Sequence, residues 1–141
     1  MKNNKIPALF VILFCIGLQN IFADIPVTIE INNVNVNGGI IYGFVFYSER
    51  AYRNENADIT FQVNPAASAV KHEITLPEGE CVISIFQDMN GNGIFDSGLF
   101  RIPKEPVGIT NYNGGTPGNF NRLKINISNN NRRIFIPLII F

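Results

Sequence analysis

The run VKHEITLPEGECVISIFQ, Val70 to Gln87, decides the fold class. Val70, His72, Ile74 and Leu76 alternate with Lys71, Glu73 and Thr75, the two-residue period of a strand that buries one face. Pro77-Glu78-Gly79-Glu80 supplies a tight turn, and Cys81 to Gln87 follows as a strongly apolar second strand. The same period recurs on either side. Val27, Ile29 and Ile31 oppose Thr28 and Glu30 in a strand from Val27 to Val34, closed by the turn residues Asn35-Val36-Asn37-Gly38-Gly39. Ile40 to Tyr47 is apolar on both faces, as a central strand is, and Gly43 within it marks a bulge or a close approach of another segment. The aromatic residues Tyr42, Phe44, Phe46, Phe61 and Phe86 fall at strand spacing and read mostly as core. Ser48 caps a single helical turn through Ala51 and Tyr52 in an otherwise polar connection.

Ile59, Phe61 and Val63 make a third strand, ended by Asn64-Pro65. Ser97 to Asn119, rich in Gly, Pro and Asn, reads as a long irregular region, and such regions are usually functional or mobile. Phe120 to Ile127 and Ile134 to Ile140 complete a count of seven strands with almost no helix. Pro137 belongs on an edge or at a bulge, since it cannot donate to a ladder, and the terminal Phe141 reads as a core residue. The expected fold is all-β: an antiparallel β-sandwich of about seven strands, immunoglobulin-like or transthyretin-like.

The first 23 residues have a basic start at Lys2 and Lys5, an apolar stretch from Ile6 to Leu18 and a polar exit ending in Ala23, the layout of a secretory signal peptide. A retained N-terminal anchor is the alternative. Cys15 lies inside the apolar run, which argues against a lipoprotein cut there. Cleavage leaves one domain over residues 24–141, with nine basic against eleven acidic residues. The expected localisation is export, to a periplasm or to the extracellular surface, with no transmembrane domain in the mature chain. No basic stripe with interleaved aromatics attracts nucleic acid. The mature chain retains Cys81 alone, so an internal disulfide is impossible, and its place in an apolar strand predicts a buried, inert thiol.

The chemistry concentrates in Asp88-Met89-Asn90-Gly91-Asn92-Gly93-Ile94-Phe95-Asp96. Counting from Asp88, side-chain oxygens fall at positions 1, 3, 5 and 9 (Asp88, Asn90, Asn92, Asp96), Ile94 at position 7 can offer a backbone carbonyl, and Gly93 sits at the sharp turn of position 6. That is the spacing of a calcium loop. Position 12 holds Leu99 in place of a bidentate Glu, so Glu105, a neighbouring loop or water must complete the shell. An Asn-Gly hairpin turn would use the same residue types without a metal. With two carboxylates the expected Ca²⁺ affinity is weak, with a Kd of about 10⁻⁴ to 10⁻³ M, and magnesium suits the site less well because it demands a small octahedral shell.

Leu76-Pro77-Glu78-Gly79-Glu80, the following strand, the Asp88–Asp96 loop, Ile102-Pro103-Lys104-Glu105-Pro106-Val107-Gly108 and the later Pro117 to Phe120 together resemble an exported bacterial family, domain of unknown function 2141. The resemblance runs from about Val27 to Leu138 and implies the fold, export and the loop, but no reaction. Gln87 stands where a His is expected before the first Asp, and Arg101 where a Gly is expected.

His72 is the single histidine, Cys81 has no partner base, and no G-x-S-x-G is present, so a triad lacks its parts. Pro103 to Gly108 reads as a rigid loop across the sheet end, or as a surface that presents Lys104 and Glu105 to a partner. The functional expectation is a non-enzymatic module whose calcium-ordered loop stabilises one end or binds an envelope or extracellular ligand or protein. The alternative is a hydrolase that uses residues 97–119 as its cleft.

Overall fold

The computed structural model describes residues 23–98 and 102–141. The expected signal peptide lies outside the described residues except for its last residue, Ala23, and so do Leu99 and Arg101. The chain folds as β1 (Asp24–Asn32), β2 (Ile41–Phe46), α1 (Glu49–Arg53), β3 (Ile59–Val63), β4 (Ala69–Pro77), β5 (Gly79–Gln87), β6 (Val107–Ile109), α2 (Phe120–Leu123), β7 (Ile125–Ile127) and β8 (Arg133–Pro137). One sheet has the order β4-β1-β8, and the other runs β3-β2-β5-β6 with β7 also on β5. The fold is all-β, two sheets around one core.

Alternation dictates which side chains meet. Val27, Ile29 and Ile31 of β1 and Cys81, Ile83 and Ile85 of β5 point between the sheets and are essentially unexposed. Each aliphatic side chain buried so completely contributes roughly 1.5–3 kcal/mol. Gly43 on β2 lies opposite Phe61 on β3, and a Cβ there would fall 2.2 Å from the ring, so the close approach is real and the register passes through it without a bulge. Ser48 caps α1 by accepting the Ala51 N–H at 3.1 Å.

The structure adds detail to these readings and corrects some of them. The turn after Leu76 does not pair its flanking strands: β4 runs antiparallel to β1 and β5 to β2, so Pro77 to Gly79 carries the chain from one sheet to the other. Every pairing between named strands is antiparallel except β1 with β8, which is parallel. The irregular 97–119 region contains β6, and the strand expected to begin at Phe120 instead begins with a helical turn capped by Asn119. Phe141 is 50% exposed, because the bridge of Ile139 to Val107 is the last tie before the chain leaves the sheets. Pro137 ends β8, an edge strand, where its missing donor harms no ladder. Among the described residues no helix is long and apolar enough to cross a membrane.

Candidate functional site

β5 is the central strand of its sheet, and its last residues hold the site. Cys81, Ile83 and Ile85 set the inward phase, which puts Gln87 inward as well, and Gln87 is fully buried. A buried amide must find partners. Its Oε1 accepts the Asn35 N–H at 3.0 Å, and its Nε2 donates to the carbonyls of Asn35 at 2.7 Å and Gly39 at 3.2 Å. Gln87 thereby brackets the β1–β2 connection, in the place where an imidazole was expected, and β5 alternation is the signal that marks it.

Asp88, one residue further, faces the opposite way and is 2% exposed. Its Oδ1 accepts the N–H groups of Gly91 at 2.8 Å and Asn92 at 3.3 Å, and its Oδ2 accepts that of Gly93 at 2.7 Å. Gly91 and Gly93 both sit at φ +74, a conformation open to glycine at no steric cost, which is why the loop turns at these two positions. Burial pushes the Asp88 carboxyl up, but the backbone N–H groups of Gly93, Gly91, Asn92 and Asn90 outweigh it and hold the group below the usual carboxylate range.

The second anchor is Glu105, 3% exposed, reaching in from the segment before β6. Its Oε1 accepts the Met89 N–H at 2.9 Å and its Oε2 the Asp96 N–H at 3.0 Å, so one carboxylate ties both ends of the loop. Two buried acids thus satisfy five loop N–H groups without an ion. Phe95 pins the loop from outside, its ring 5.4 Å from that of Phe86, which stacks in turn on Tyr42 and Phe44. These three aromatics line the outer face of the sheet, so they are not part of the core between the sheets; Tyr42 and Phe44 stay partly exposed.

The remaining candidate ligands converge. Asn90 Nδ2 and Asn92 Nδ2 lie 2.7 and 2.8 Å from the same oxygen, Asp96 Oδ2, while their own oxygens accept the Asn92 and Ile94 N–H groups. Ile94 is 65% exposed. Among the described residues no group of three His, Cys, Asp or Glu side chains could hold a metal, so an ion here would depend on amide and backbone oxygens. His72 lies away from the loop, stacked on Phe61 at 4.8 Å.

Thr110 went unnoticed in the sequence: its buried hydroxyl accepts the Ile83 N–H at 3.2 Å and donates to the Leu123 carbonyl at 2.8 Å. Among the described residues of the 97–119 region, only Thr110 and Asn111 line a surface hollow of about 250 Å³, whose other walls are Ile125, Asn131 and Arg133 to Phe135.

A family model described as "Uncharacterized protein conserved in bacteria (DUF2141)" matches residues 29–135, which include the whole loop and both anchoring acids. No curated protein and no solved structure matches the chain.

Proposed function

Since the chain belongs to the DUF2141 family of uncharacterized bacterial proteins, for which no reaction is described, we propose a function from the loop itself. The protein is an exported, non-enzymatic β-sandwich module whose Asp88–Asp96 loop takes a calcium ion and presents the sandwich end to an envelope or extracellular partner. The observation that carries this reading is the meeting of Asn90, Asn92 and Asp96 at one oxygen. Rotating each amide exchanges its nitrogen for its oxygen, which turns two donors aimed at a carboxylate into two ligands beside it. Asp88 and Glu105 keep the loop in shape meanwhile, and their oxygens retain lone pairs beyond those used by the N–H groups.

The ion's contribution is small beside the core. At ten times a Kd in the millimolar range, binding only to the folded chain adds about 1.4 kcal/mol, less than one fully buried Ile. Calcium therefore raises Tm by roughly 5 °C over the chelated protein, and chelator leaves the chain folded. Asp96→Asn, which spares both anchors, abolishes the shift. Equal melting in calcium and in chelator would refute calcium binding, and a shift that survives in Asp96→Asn would place the ion elsewhere.

A further inference from the structure

Four Asn-Gly pairs occur in the chain, at 37–38, 90–91, 92–93 and 113–114. Glycine has no Cβ to shield its backbone nitrogen, so such a pair can react with itself. The nitrogen attacks the preceding side-chain amide. Whether it does so depends on what holds its proton. In the loop, the Gly91 and Gly93 N–H groups donate to the Asp88 carboxylate at 2.8 and 2.7 Å. The Gly38 N–H donates to the Asn35 carbonyl at 2.9 Å. Gly114 differs: its N–H donates to no acceptor among the described residues, it sits at φ +101, and nothing lies within 4 Å of where its Cβ would be. Asn113 beside it is exposed.

We propose that Asn113 is a deamidation site and that Asp88 protects Asn90 and Asn92 from the same reaction. At Asn113, water or hydroxide removes the Gly114 N–H proton and the nitrogen bonds to Asn113 Cγ. The Cγ–Nδ2 bond breaks and ammonia leaves, which closes a five-membered imide. Water then opens the imide at either carbonyl to give Asp or isoaspartate. No electrons are transferred, and water is the sole co-reactant. At Asn90 and Asn92 the attacking nitrogen would have to become anionic beside a carboxylate that already holds its proton. A charge-assisted hydrogen bond and like-charge repulsion both oppose that. The loop consequently keeps neutral amides beside Asp96, and its set of oxygens and its charge stay fixed.

The test uses the whole chain in mildly alkaline buffer with chelator, so that the result does not depend on calcium. Folded and urea-unfolded samples are followed by peptide mapping in a mass spectrometer. In the folded chain Asn113 converts first, and Asn90 and Asn92 lag by on the order of tenfold or more, the factor that a charge-assisted hydrogen bond supplies. Urea erases the gap. Asp88→Ala, if its circular dichroism stays native, accelerates Asn90 and Asn92 and leaves Asn113 unchanged; if it does not fold, the comparison of folded and unfolded parent chain decides. Conversion of Asn90 or Asn92 as fast as Asn113 in the folded chain overturns the proposal, as does a gap that persists in urea.

Discussion

Gly43 and Phe61 share a space that only one of them can fill. A methyl group on residue 43 meets the Phe61 ring at 2.2 Å, and the ring cannot retreat because it is itself stacked on His72 at 4.8 Å. Gly43→Ala therefore costs about 1–3 kcal/mol of overpacking, and Phe61→Leu in the same chain restores part of it, both read by urea melts. A lone glycine in an apolar run made this legible. The two titrating groups needed the structure. Burial lowers the His72 pKa more than Glu73 raises it, so the folded chain prefers the neutral ring. Its stability term is whole above the unfolded value of about 6.5 and declines as pH falls below that. Asp88 is also held low, so its term is whole above about pH 4 and is lost as pH falls through the folded value. Tm against pH should fall in two steps, a small one below about 6.5 that His72→Gln removes and a second below about 4 that remains. A Tm that stays flat down to pH 4 would contradict the environment assigned to His72.

β5 was readable because its apolar run is long; β6 was not, because three residues give too little alternation to distinguish a strand from a loop. What extends β6 along β5 is a side chain. Past Ile109 the chain turns away, and the Thr110 hydroxyl accepts the Ile83 N–H that the next carbonyl of a longer strand would have accepted, and donates to the Leu123 carbonyl at the end of α2. The same bond helps explain why residues 120–123 coil: the strand neighbour that a straight Phe120–Ile127 would need is already occupied, and Phe120 and Leu123 instead bury against Val82 and Tyr112. Thr110→Val keeps the shape and removes the oxygen, leaving a buried donor and a buried acceptor unpaired. It should destabilise by about 1–3 kcal/mol, and Thr110→Ser, which keeps both bonds, by about 1 kcal/mol or less. Hydrogen exchange at Ile83 should quicken in the first variant and barely change in the second. A Thr110→Val variant that melts like the parent while Thr110→Ser melts lower would show that the methyl group, not the hydroxyl, matters at this position.

The two sheets close on a single core, and the closure is made by the first and last strands. β1 lies between β4 and β8, the parallel β1–β8 pairing joins residues about a hundred positions apart, and Ile139 bridges to Val107 on the other sheet. Parallel pairing over that distance cannot be read from local pattern, since each strand alternates in the same way whatever its neighbour. The consequence is cooperative: no sheet can open without exposing the core of the other. Cys81 reports on this directly. It is fully buried near the crossing from β4 to β5, and burial pushes its thiol up to about 12, so both access and ionisation protect it. A thiol reagent should therefore label it at a rate that follows global unfolding, with a urea midpoint coincident with that of circular dichroism and of the fluorescence of the four tyrosines, there being no tryptophan. The loop variant Asp96→Asn should not change the labelling rate in chelator, because Asp96 is no part of the core and the substitution spares both buried acids, which leaves global stability in place. Fast labelling with intact circular dichroism would mean that the short β7, paired to Gly79 through Cys81, opens alone, and the sandwich would then unfold from that edge and not as one unit.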